Sequence, residues 1–411
     1  MSHLLLQAGW RYCGYCKRLG DCYMIIRRLM IALAISLSTG ISLYADGSRR
    51  DPAKIINDRD GASCSQCHKF EVQSWQASHH FGSLKSLTED EGGKVKEIVT
   101  KLGFGNAVSN VTCAQCHFTT KTTAQSNEFT KTPTGPVMGV SCESCHGAAK
   151  EWHSLHSHQT LKDFLEFDPN KKAQTDIVIS DDIKKLISSL QERLKGKTEN
   201  DFEIAIAAET RQLGMIRPQD TYELINNCYG CHTVPNPELV NKTEHAAGSE
   251  FEIIAWLNGE IRHSFRGTNW DEPSNREFTQ EKKRELFVAG RILYVEHALR
   301  AIAMAAFPKG DEEPTRYFEE MQFRVADGIG NMLALDEALE GQVKELKDLA
   351  ALLAELDDDI ESLTKDQVPK LVSALEKANR AFIKAAESYD LTVLDEEIVD
   401  IEPVGDALFG K

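Results

Sequence analysis

The stretch Cys142-Glu143-Ser144-Cys145-His146 decides the reading of this chain. It recurs as Cys64-Ser65-Gln66-Cys67-His68, as Cys113-Ala114-Gln115-Cys116-His117 and as Cys228-Tyr229-Gly230-Cys231-His232. Cys-x-x-Cys-His is the attachment signal for c-type haem. The two thiols add across the porphyrin vinyl groups, and the histidine that follows coordinates the iron from one side. Two intervening residues let both sulfurs reach one porphyrin edge and leave the histidine under the iron. Four motifs imply four covalent c-type haems, with His68, His117, His146 and His232 as the first iron ligands. A zinc reading, with the cysteine pairs forming ribbon-like sites, leaves four adjacent histidines unexplained in a chain that has 13 in all.

The chain has 411 residues, 47 Lys and Arg against 63 Asp and Glu, and a formal net charge of −16. Nucleic acid is excluded as a partner, because phosphate binding needs basic faces. The charge instead predicts redox partners with a basic docking face. Eight of the eleven cysteines belong to the motifs, and Cys13, Cys16 and Cys22 lie at the N-terminus. No disulfide is expected beyond them.

Residues 24–45 have the layout of an export signal: Arg27 and Arg28, then an apolar run from Leu29, then Ala45 before a polar stretch. Residues 1–23 then precede a true start at Met24, and Cys13-Gly14-Tyr15-Cys16 is a redox or metal pair only on the rival reading. Membrane association is expected only if this leader stays uncleaved. Without residues 1–45 the chain has 42 basic and 62 acidic residues, a net charge of −20. Haem of this kind is attached outside the cytoplasmic membrane, so the signal and the motifs together predict a periplasmic protein.

The fold expected is mainly α with little regular sheet. Residues 46–277 read as a tetrahaem domain, interrupted at 161–218 by a helical insertion that covers the haems. Within the insertion Ser180 is a helix N-cap, and Ile183, Leu186, Ile187, Leu190 and Leu194 recur at helical spacing. A second helix runs from Asn200 to Leu213 and stops at Gly214. Residues 278–411 read as a four-helix bundle. Its apolar stripes are Ile292 to Ala306, a helix from Phe318 to Leu339, Val343 to Leu356, and Leu371 to Phe382. The bundle offers a surface for oligomer formation.

What fills each iron's sixth position decides whether a haem only passes electrons or also binds a small molecule. Beyond the leader, eight histidines lie outside the motifs: His79, His80, His153, His156, His158, His245, His263 and His297. His297 lies off its helix's apolar stripe and reads as a structural or surface residue.

The segments Cys64 to Lys69 with Gln73-Ser74-Trp75, and Gly139 to Gly147, resemble the tetrahaem cytochrome c-554 family. The order and rough spacing of the motifs are also similar, over about residues 60–265. The family's best-known member accepts electrons from hydroxylamine oxidoreductase. The resemblance implies His80 opposite His232, His156 opposite His68, and His263 opposite His146. It also implies an open, five-coordinate second haem on His117, for which His245 is an extra candidate ligand without a family counterpart. The implied function is electron transfer between redox partners rather than catalysis. The alternative is an enzyme acting on nitric oxide, hydroxylamine or nitrite at the open haem.

Overall fold

The computed structural model describes residues 54–56, 62–90, 92–120, 136–171, 178–265 and 274–409. The leader, 1–45, with its export signal at 24–45, lies outside the described residues.

The haem-motif region is a set of short helices joined by tight turns. The first motif spans Ala62–Ser65 and the turn after it, and α1 (Lys69–Gln76) and α2 (His79–Gly82) follow. The second motif ends α3 (Val111–His117), and the third is α4 (Cys142–His146). The sheet is minimal: β1 (Thr119–Thr120) pairs antiparallel with β2 (Pro136–Met138), Thr119 facing Met138. This hairpin ties the backbone after the second motif to that before the third. Next come α5 (His153–His156), α6 (Leu161–Glu166), α7 (Asp181–Leu194) and α8 (Glu199–Gln212). The fourth motif ends α9 (Thr221–His232), followed by α10 (Pro237–Lys242) and α11 (Ile253–Asn258).

The insertion helices start and stop where local chemistry dictates. The Ser180 side chain accepts the Ile183 N–H and caps α7. Thr198 and Asp201 form a reciprocal capping box on α8. Gly214 takes φ +96°, a left-handed conformation that glycine adopts without steric cost. The stripe Ile183, Ile187, Leu190 and Leu194 is buried against Leu155, Phe164, Phe202 and Ile206, so the insertion has its own apolar core. It meets the third motif through Ile216, whose N–H donates to the His146 carbonyl at 2.9 Å.

The C-terminal helices are α12 (Gln280–Ile302), α13 (Arg316–Ala338), α14 (Lys344–Asp358) and α15 (Val368–Ala385). Each packs on two of the others, α12 closing the ring against α13 and α15. A Cβ at Gly328 would meet Tyr294 and Val295 at 2.8 Å, so glycine is what lets α13 approach α12 this closely. The fold is thus mainly α throughout, as the sequence predicts.

Helix α12 departs from the single apolar stripe expected of it. Nearly every residue from Leu286 to Ile302 is buried, because α9 and α11 cover the side that the bundle leaves open. Its polar residues are buried with it. His297 is 5% exposed, stacked on Tyr229 at 5.5 Å, with Nε2 2.9 Å from Asn226 Oδ1. Of its two expected roles, His297 has the structural one.

Burial pushes His297 down to about 3. Above pH 6.5 the folded and unfolded states are both neutral there. Between pH 6.5 and about 3 the unfolded chain takes up a proton that the folded chain refuses, so stability falls as pH falls. The expected slope from this residue is about 1.4 kcal/mol per pH unit. Denaturation midpoints for the parent and His297→Gln between pH 6.5 and 4.5 check it. The variant should lose that much of the slope, and equal slopes would refute the assignment.

Candidate haem-iron sites

In a helical turn, residues i, i+3 and i+4 lie on one face. Cys-x-x-Cys-His therefore presents two thiols and an imidazole side by side whenever the turn is helical. The first motif meets this with the His68 N–H on the Cys64 carbonyl at 2.9 Å. The second is started by Asn110, whose side chain accepts the Thr112 N–H. The third is started by a capping box between Ser141 and Ser144. Glu143, inside the third motif, is 1% exposed and accepts the N–H groups of Ala149 at 2.7 Å and Ile56 at 3.0 Å. This buried carboxylate anchors the backbone on both sides of the motif. Sequence reading passed over it, since Glu within a Cys-x-x-Cys pair looks like solvated filler.

Each motif histidine faces a second histidine from elsewhere in the chain. Ring centres are 5.9 Å apart for His68 and His156, 6.2 Å for His80 and His232, and 6.2 Å for His146 and His263. For His117 and His245 the separation is 6.3 Å. Metal–nitrogen bonds of about 2 Å on each side of one iron separate the two imidazole centres by roughly 6 Å. The first pair is parallel, at 4°, and the other three are steeply crossed, at 76°, 89° and 89°. The structure brings His245 to His117, the position for which the family resemblance implies no second ligand.

Several of these rings are oriented from behind. The Nδ1 atoms of His146, His245 and His263 lie 2.9, 2.8 and 2.6 Å from the carbonyls of Ile216, Ala246 and Ile261. A carbonyl only accepts, so Nδ1 carries the hydrogen and Nε2 keeps a free lone pair. His232 Nδ1 meets the Ser249 hydroxyl at 2.8 Å, and His68 Nδ1 meets Glu71 Oε1 at 3.4 Å. Such outer partners hold a ligand ring in place and raise its basicity. Burial also pushes His146, His156 and His232 down to about 4, and lowers His80 and His117. These imidazoles are neutral near pH 7, the form that binds a metal. His68 is shifted upward by its hydrogen bond to Glu71.

The remaining donors agree with this use. None of the eight motif cysteines is in a disulfide. Among the described residues no three or more His, Cys, Asp or Glu converge on one point, so the donor set offers pairs rather than a zinc-type cage. Trp152 Nε1 is buried with no hydrogen-bond partner among the described residues, and its ring lies 5.7 Å from that of His156. Trp75 instead donates from Nε1 to the Val140 carbonyl at 2.7 Å, pinning α1 to the approach to the third motif. Two other candidates are occupied elsewhere: His79 pairs with Glu260 at 2.5 Å, and His158 packs against Phe164 and Phe167. The residues present thus fit haem: two thiols on one turn and an imidazole on each side of an iron.

A helical chain with repeated Cys-x-x-Cys-His turns and histidines opposed across them is a c-type cytochrome. Residues 63–147, which hold the first three motifs, match the family described as cytochrome c554 and c-prime. The chain is 28% identical over 134 residues to cytochrome c-554 of Nitrosomonas europaea, across 32% of this chain and 52% of that protein. The match thus spans about half the length of that relative. No solved structure matches the chain. The haem-motif region is thus similar to the cytochrome c-554 family, and the C-terminal helices of this chain lie beyond the residues that the family model matches. That similarity, with the motifs themselves, points to covalently bound c-type haem iron.

Proposed function

We propose that this chain is an exported four-haem cytochrome that relays electrons between redox partners, each iron held by two histidines. The observation that carries this reading is the set of four opposed histidine pairs. Haem between two imidazoles accepts and returns one electron without opening a coordination position.

The chain's own residues supply the rest. Burial keeps the imidazoles of His80, His117, His146, His156 and His232 neutral, and carbonyl or hydroxyl groups fix the rings of His146, His232, His245 and His263. Contacts between the motifs support an order for the relay. The Cys64 and Cys142 thiols are within hydrogen-bonding reach, which makes the first and third motifs neighbours. Asn227, beside the fourth motif, donates to the carbonyls of Ser144 and Cys145 in the third at 2.6 and 3.0 Å. Cys231 Sγ lies 3.4 Å from the Gln115 carbonyl, joining the fourth motif to the second. The order is first, third, fourth, second. The net charge of −20 without residues 1–45 supports partners with basic docking faces, whose encounter should weaken as salt rises.

The rival reading, an enzyme acting on a small nitrogen compound, needs an open iron. The His117–His245 pair weighs against it. Mass spectrometry of the exported protein, produced with a haem-attachment system, tests the cofactor count. The expected result is the polypeptide from near Asp46 plus four haem masses. Fewer haems, or bound zinc, would overturn the proposal.

A further inference from the structure

His245 lies in the turn after α10, and the C-terminal helices hold that turn. Arg316 opens α13. Its Nη1 donates to the carbonyls of Val240 and Thr243 at 3.2 and 3.0 Å, and its Nη2 to the carbonyl of His245 at 3.2 Å. One guanidinium thus gathers three carbonyls of a single turn, a use of its rigid fork of donors that an ammonium cannot copy. The contact is returned: the Tyr317 N–H donates to Asn241 Oδ1 at 2.8 Å, and the Tyr317 ring is fully buried. Within the turn, the Thr243 hydroxyl donates to the Leu239 carbonyl at 2.6 Å and accepts the His245 N–H at 3.1 Å. The backbone of His245 is therefore held from both sides, while its Nδ1 is held by Ala246.

The same helix reaches a second axial histidine. About two turns beyond Arg316, the Arg324 guanidinium donates to the Ser249 carbonyl at 3.4 Å. The Ser249 hydroxyl meets His232 Nδ1, and its N–H donates to the His232 carbonyl at 2.9 Å.

We propose that α13 is a brace for axial ligands and that Arg316 is a positioning residue holding His245 across from His117, which closes the second haem. This rests on the four-haem, two-histidine reading. It assigns a task to the added C-terminal helices: they supply the anchor for a ligand that the haem-motif region cannot hold by itself. Removing the fork frees a turn of irregular backbone, and the iron on His117 opens for part of the population.

The test uses the full-length, haem-loaded protein, with low-temperature electron paramagnetic resonance of the oxidised form and carbon monoxide binding to the reduced form. His245→Ala reports direct loss of the ligand and should give one high-spin haem in four, which binds carbon monoxide. Arg316→Met should keep its full haem content and show a high-spin fraction at that same haem, with carbon monoxide binding at least tenfold faster than in the parent. Arg316→Lys, which keeps the charge and loses the fork, should fall between the two and serves if Arg316→Met does not fold. If the arginine variants match the parent while His245→Ala opens the haem, the brace is wrong and the ligand reading stands. If His245→Ala itself leaves the spin count unchanged, His245 is no ligand and both fall.

Discussion

The oxidised, haem-loaded protein is expected to give two kinds of low-spin iron signal in a ratio of one to three. The reason lies in the ring planes. His68 and His156 are parallel to within 4°, whereas the other three pairs are crossed at 76° to 89°. Parallel imidazoles donate into the same iron d orbital, lift its degeneracy with its partner, and give a rhombic paramagnetic resonance signal. Crossed imidazoles raise both orbitals together and give a strongly anisotropic signal. One rhombic and three anisotropic haems, with no high-spin iron, is the expected spectrum. His156→Ala should remove the rhombic component alone. His80→Ala and His263→Ala should each remove one anisotropic component. A parent with a high-spin haem would restore the open site that the family resemblance implies. A His156→Ala variant that keeps its rhombic signal would break the assignment of the first pair.

The second large effect is expected at the join between the C-terminal helices and the fourth motif. Glu296 is fully buried, and Arg300 is 6% exposed. Glu296 Oε1 accepts from Arg300 Nε at 2.9 Å and from the Tyr222 hydroxyl at 2.7 Å. Burial raises the Glu296 carboxyl above its usual range, and the guanidinium opposes that rise. Arg300→Met would leave this carboxylate buried without its cation, at an expected cost of about 3–5 kcal/mol. Glu296→Leu in the same chain as Arg300→Met should recover most of that loss, because neither charge then remains buried. Denaturant unfolding of the haem-loaded protein, followed by far-ultraviolet circular dichroism, reads both. An Arg300→Met midpoint indistinguishable from the parent would mean that the pair has no structural weight. Because Tyr222 sits on α9, the same variant should also loosen the helix that carries Cys228, Cys231 and His232.

The amino-acid sequence by itself determined the parts whose geometry is local. Cys-x-x-Cys-His needs only one helical turn to align two thiols and an imidazole, so the eight thiols and four motif histidines are legible without a fold. The same holds for α7, begun by Ser180 at its cap, for the stop at Gly214, and for the stripes of α13, α14 and α15. The pairing of histidines is different. His117 and His245 are far apart in the chain, and the sequence offers His245 only as a spare candidate, because the Arg316 guanidinium that holds its backbone belongs to a distant helix. Tertiary structure also decided the fate of α12. Glu296, His297 and Arg300 lie off the apolar stripe that runs from Ile292 to Ala306. Packed against α9 and α15, the same three residues find Tyr222 and Asn226 on the first and Glu376 on the second as partners, and a helix that looks half-exposed is buried nearly all round. Leu408 and Phe409 fold back in the same way. Phe409 packs on Phe70, just after the first motif, and the Leu408 carbonyl accepts from Asn275. Polar groups that find partners only across long chain separations have no signature in a local window. Those partners exist once the backbone has closed on itself, so the tertiary structure alone decides them.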